Sequence, residues 1–183
     1  MTASELADLF WQGTRNWPST APTLEEELRS STKLAIDDFR NEITCLLAFV
    51  DDFVFHVALK EAPSVFRDAV REAYAARLRS FAQQTACKPM PMGEWVGSLY
   101  LTNREYQTAS MNNDPIRNLD DRFQFFVEAI QRGKGHSIGE SLGTAFAGLC
   151  ATTDIVFIAQ VSTLLSERVL HFTELLRKNL STS

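Results

Sequence analysis

The chain is poor in the residues that make turns. It has eight glycines and six prolines in 183 residues, against average usages of about 7% and about 5%. Sheet proteins need turn signals at short, regular spacing, so this scarcity excludes sandwiches and barrels and points to long helices. Cysteine is also sparse. Cys45, Cys87 and Cys150 are odd in number, far apart, and include no Cys-x-x-Cys pair. That excludes a disulfide framework and a thiolate zinc site, and it fits reducing, cytoplasmic surroundings. Positive charge is in deficit: 18 basic against 23 acidic side chains leave a net of −5. Neutralising phosphates supplies most nucleic-acid affinity, so direct nucleic-acid binding is expected to be weak or absent.

Targeting signals are lacking too. Met1 to Phe10 carries Glu5 and Asp8 and has no basic start, unlike a signal peptide. The most apolar stretch, Leu142 to Leu165, is interrupted by Asp154, Gln160 and several Ser and Thr, which argues against a membrane span. No Gly-x-Ser-x-Gly elbow and no Walker loop occurs. A hydrolase therefore has no positive evidence, and no cofactor is expected.

What is present is helical periodicity. The reading is all-α, with about seven or eight antiparallel helices. Residues 1–22 form a short helix (Ser4 to Trp11) and a linker, and 23–180 form one helical domain. Thr23 to Glu26 matches a capping box, in which a hydroxyl and a carboxylate reciprocally satisfy free N–H groups. Apolar spacing then runs from Leu28 to Val57, too long for one typical helix, so a break is expected near Asp37-Asp38. Ser64 is expected to cap a helix bearing Phe66, Val70, Tyr74 and Phe81. A loop at 87–93 precedes a helix over 94–110. Asp114-Pro115 restarts the chain as N-cap and first helical residue. Ser137 to Glu140 is a second capping box. Its helix carries Gly139, Gly143 and Ala147 as a ridge that permits close packing, and a last helix runs from a turn at Thr152 to Asp154 to about Lys178.

Several constellations are candidates for chemistry. Asp52 with His56, and Glu167 with His171, place an acid and a histidine on one helical face. Diiron bundles need Glu-x-x-His and further glutamates, so solvated ion pairs are the simpler reading. Arg77 falls on the apolar face of its helix and needs a partner, for which Asp51 or Asp52 would serve. The segment from Lys134 through Gly135 and His136 to Ser137 precedes a helix N-terminus, where free N–H groups attract anions. Charge is uneven: residues 64–88 carry five basic and two acidic side chains. Within them Arg67 and Arg71 form a basic edge suited to a partner's acidic segment.

Three stretches also carry a family likeness: Ser64-Val65-Phe66-Arg67, then Trp95-Val96 with Leu99, Tyr100, Leu101 and Tyr106, then Asn112-Asn113-Asp114-Pro115. Leu164-Leu165 and Arg168 add to it. On these, the segment Ser64 to Ile130 resembles the middle-domain family of eukaryotic translation initiation factor 4G, above all its small single-domain relatives. Thr23 to Lys60 matches only as generic antiparallel helices, and the loop Lys88 to Met92 has no equivalent there. The resemblance implies a HEAT-like stack of helical hairpins and a non-enzymatic adaptor. Its partners would be proteins of mRNA translation or metabolism that offer an acidic or helical segment, and it would have a capacity to form homodimers. The alternative is a closed helical bundle that binds a small molecule or anion near residues 132–143. Overall shape discriminates the two.

Overall fold

The computed structural model describes residues 1–90 and 114–180, and the side chains of residues up to 178. The expected helix over 94–110, and with it most residues that carry the family likeness, lies outside the described residues. So does the tail beyond residue 180. Among the described residues there are eight helices and no strand: α1 (Ala3–Arg15), α2 (Trp17–Thr20), α3 (Pro22–Ser30), α4 (Ile36–Ala58), α5 (Ser64–Gln84), α6 (Pro115–Arg132), α7 (Ile138–Leu149) and α8 (Ile155–Leu180). The fold is all-α.

Helix starts follow local chemistry, though not always the expected residue. Asp114 caps α6 by accepting the Ile116 N–H at 3.0 Å, with Pro115 at the first position. Ser137 and Glu140 close their capping box on α7. The Thr23 box does not form, because Pro22 already opens α3 and Thr23 is inside it. Proline there is pre-set for the first helical position and needs no N–H partner. A capping box forms instead at Thr2 and Glu5, at the start of α1. Ser64 lies inside α5, with Pro63 at the cap. The break in the long apolar run falls at residues 31–35, just before Asp37.

Helix α4 organises the molecule. Every residue from Glu42 to Asp51 is buried, and a helix apolar on all sides belongs inside a core. It packs against α1, α5, α6 and α8. Helix α1 lies chiefly along α5, and α8 lies along α7 and α4. A stack of hairpins joins each helix mainly to its sequence neighbours. Here the first helix reaches the fifth and the last returns to the fourth, and among the described residues the HEAT-like order is not confirmed.

The segment 1–22 is built into the same core. Phe10 is fully buried between Phe55 and Phe172, at ring distances of 4.6 and 4.1 Å. Trp11 meets Tyr74 and Phe81 edge-on, and Trp17 is also buried. Helix α1 continues through Gly13, where a Cβ would lie 3.1 Å from the Phe172 ring. The Gly139–Gly143 ridge packs on α8. A Cβ on Gly143 would lie 2.9 Å from the Ile158 carbonyl, so only glycine allows this approach. Ile155–Lys178 has the length and apolarity to cross a membrane, with mean hydropathy 1.3 over its best window. One side of it, through Phe157, Val161, Leu165, Phe172 and Leu176, is buried in the bundle.

Two helices end in the same way. The Cys87 N–H bonds back to the Ala82 carbonyl and the Ala86 N–H to Gln83. Likewise the Thr152 N–H reaches Ala147 and the Ala151 N–H reaches Gly148. Both are Schellman closures, which place one residue in the left-handed region, usually glycine. This glycine-poor chain uses alanine in both: Ala86 at φ +47° and Ala151 at φ +52°.

Candidate functional site

The sequence-predicted residues fall in four places. On the exposed side of α5, Arg71 is clasped by Asp52 of α4, with Nε–Oδ1 at 3.0 Å and Nη2–Oδ2 at 3.1 Å. Asp52 is thereby committed to a cation, and His56 lies exposed beyond it. Arg67 pairs with its exposed neighbour Asp68 at 3.3 Å. The basic edge is therefore partly neutralised from within the chain. Glu167 and His171 are both exposed on α8. No group of three potential metal ligands occurs among the described residues.

Arg77 finds neither Asp51 nor Asp52. It reaches across to α1, donating to Asp8 Oδ1 at 2.5 Å and Ser4 Oγ at 3.0 Å, and to the Ala73 carbonyl at 2.6 Å. Asp51 is instead the centre of a buried network and is itself fully buried. Arg168 of α8 donates to both its oxygens at 2.8 Å. Thr14 of α1 and Tyr74 of α5 donate to Oδ2 at 2.5 and 2.7 Å. Arg168 also bonds Thr14 and stacks 4.5 Å over the Phe172 ring. Burial, and then the Asp51 charge, push the Tyr74 hydroxyl well above its ordinary value, so it remains a donor. Four helices meet on one carboxylate.

The Lys134–Ser137 loop is exposed, with Gly135 at φ +90°. The α7 N-terminus it leads into is already occupied by its own side chains. The Ser137 N–H bonds Glu140 Oε2 at 2.8 Å, and the Glu140 N–H bonds Ser137 Oγ at 3.2 Å. The Glu140 carboxylate, also 3.9 Å from His136, sits near where an anion would approach. Beside this loop, however, a groove of about 350 Å³ opens between α4, α7 and α8. Val50, Phe53, Ile138, Leu142, Leu165, Val169 and Leu170 line it, and Ser137 and Ser166 supply the hydroxyls. Ile138 and Leu170 stand on its rim, 38% and 65% exposed.

A second, polar cavity of about 90 Å³ lies at the other end of α4. Its walls include Asp38, Glu42 and Cys45 of α4, Cys87 and Lys88 after α5, and Arg122 of α6. Arg122 is buried. Its Nε donates to Glu42 Oε2 at 2.7 Å, a second bond joins it to Oε1, and Nη1 reaches the Lys88 and Asn118 carbonyls at 2.7 and 3.0 Å. Burial opposes the guanidinium charge, but the Glu42 bonds outweigh it and raise its pKa. Asn118 holds the Cys87 carbonyl at 2.8 Å. Residues 87 and 88 are thus pinned by their backbone from α6.

Glu42, Cys45, Cys87 and Arg122 escape a reading by motif, since they come from three distant segments. One signal was present: charged residues inside apolar runs, such as Asp51 after Ile43 to Val50 or Arg168 among Leu164, Leu165 and Val169, mark buried pairs. No family model, curated protein or solved structure matches the chain.

Proposed function

We propose that the chain is a non-enzymatic binding protein whose groove between α4, α7 and α8 takes a small, largely apolar ligand, its polar end toward the Lys134–Ser137 loop. The groove itself carries this reading. Its volume of about 350 Å³ and its apolar walls with two hydroxyls match the make-up of ligand pockets, which run to about 300–1,000 Å³ with a few placed polar groups. The packing of the described helices around α4 supports it over an extended concave scaffold. The ionic side chains nearest the classes of chemistry first considered, Asp52 and Arg71, are already paired with each other.

A second reading rests on the rim. Exposed Leu170 and Ile138 suit an amphipathic helix of a partner protein, which would set apolar anchors in the same groove. The resemblance to the 4G middle domain names the partners to try: translation and mRNA-associated proteins.

The test is a titration of the full chain with 1-anilinonaphthalene-8-sulfonate, an apolar ring system with an anionic head. We expect saturable binding at one site, weakened about tenfold by Ser166→Trp, which fills the groove from its exposed rim, and weakened less by Lys134→Glu. Arg67→Glu should leave it unchanged. Equal binding by Ser166→Trp and the unaltered chain overturns the ligand reading. Displacement of the dye by amphipathic helical peptides, but not by a medium-chain carboxylate, favours the adaptor.

A further inference from the structure

The three cysteines are not equivalent. Cys150 is fully buried in the core and lines no described cavity, and burial pushes its thiol up. Cys45 and Cys87 share the wall of the polar cavity, and the Cys87 thiol lies 3.9 Å from the Lys88 carbonyl oxygen. Neither is oxidised. Sequence spacing gives no hint of this pairing, because one sulfur comes from the middle of α4 and the other from the turn after α5.

We propose that Cys87 and Cys45 form a peroxide-responsive dithiol, in which Cys87 is the sulfur first oxidised and Cys45 converts it to an intramolecular disulfide. The geometry assigns the roles. Cys87 sits on the Schellman turn with Ala86 held at φ +47°, and its carbonyl is gripped by Asn118. Its sulfur is thereby presented to a cavity of about 90 Å³, room for a few water-sized molecules. Cys45, on the inner side of α4, is the more deeply buried of the two, 1% exposed against 6% for Cys87.

The surrounding charges agree. The neighbouring Cys45 thiol lowers the Cys87 thiol from its ordinary value. Burial opposes this, Arg122 adds to it and Glu42 subtracts. Cys45 is shifted upward, by the neighbouring Cys87 thiol and then by its own burial. Lys88 is taken by Asp38 at 2.7 Å. Of the two sulfurs, Cys87 therefore ionises first, and the thiolate is the nucleophile.

The chemistry balances with a hydroperoxide as the oxidant. The Cys87 thiolate attacks one peroxide oxygen and the O–O bond breaks. Sulfur loses two electrons to become a sulfenic acid, and hydroxide or alkoxide leaves. Cys45 then attacks the Cys87 sulfur. An S–S bond forms, the S–O bond breaks, and the departing hydroxide takes the Cys45 proton to give water. A small thiol restores both cysteines by exchange. Because Cys87 is tied to α6 through Asn118, and Arg122 to the Lys88 carbonyl, closure of the disulfide should pull on residues 87 and 88, which follow the end of α5.

The experiment treats the folded full chain with hydrogen peroxide, blocks remaining thiols and maps the peptides by mass. The expected product is a Cys45–Cys87 linkage, two hydrogen masses lighter, with Cys150 unmodified. In Cys45→Ser, a dimedone adduct should accumulate on Cys87. In the unaltered chain, iodoacetamide should label Cys87 about tenfold faster than Cys45 or Cys150, a measurement that needs no variant. Equal labelling of Cys87 and Cys150, first oxidation at Cys45, or no linkage at doses that oxidise free cysteine would each overturn the proposal.

Discussion

Helix α4 carries two buried carboxylates, each clasped by an arginine from a distant helix, and the two clasps differ in what surrounds them. Asp51 is enclosed by Thr14, Tyr74, Arg168 and the Phe172 ring and itself lines no described cavity; Arg168 and Phe172 separate it from a surface groove of about 510 Å³. Glu42 and Arg122 face a cavity, two thiols and a backbone turn. Removing charges from water is costly, and a buried pair repays this only when its remaining hydrogen-bonding groups are satisfied. The first clasp satisfies them with side chains and serves as a fastener of four helices. The second satisfies them with the Lys88 and Asn118 carbonyls, and so couples a reactive site to the packing of α6. The same pair chemistry does structural work in one setting and controls a site in the other.

Breaking the fastener should have the largest effect. Arg168→Met leaves Asp51 charged and buried, and should destabilise the fold by about 3–5 kcal/mol, read as a lower urea midpoint. The loss should be far smaller for exchange at Arg71, whose pair with Asp52 is on the surface. Arg122→Met should cost less, about 2–3 kcal/mol, because the adjacent cavity lets water reach Glu42. It should also slow iodoacetamide at Cys87, while the Arg168 variant, measured under conditions where it is folded, should not. Equal costs for the two variants would erase the distinction between the clasps. The smallest change has the opposite sign. Ala86→Gly relieves the left-handed alanine and should stabilise the chain by about 0.5–1 kcal/mol in the same unfolding assay. It should loosen the hold on Cys87 as well, narrowing its labelling advantage over Cys150.

How much of this was legible in the sequence depends on reach. The all-α class, the Asp114-Pro115 restart and the Ser137–Glu140 box are decided within a turn of helix, and all three appear as read. The Thr23 box shows the limit even there, since Pro22 one residue earlier competes for the same role and wins. Arg77 was recognised as needing a partner, but its partner Asp8 is 69 residues away, and no local rule chooses it over Asp51. The thiol pair was hidden for the same reason: its members meet only because α5 ends where α4 has a gap beside Glu42. The Lys134–Ser137 loop was read for its backbone donors, which Glu140 of the same box already engages. The groove beside it needs α4 and α8 as walls, and those faces come together only in three dimensions.

The Asp51 clasp also sets an order on biosynthesis. Its arginine lies 117 residues further along the chain. At translation rates of about 5–20 residues per second, the ribosome needs roughly 6–23 s to add that stretch. Until then Asp51 has only the Thr14 and Tyr74 hydroxyls of the clasp to bond. The clasp is complete only once α8 has been made.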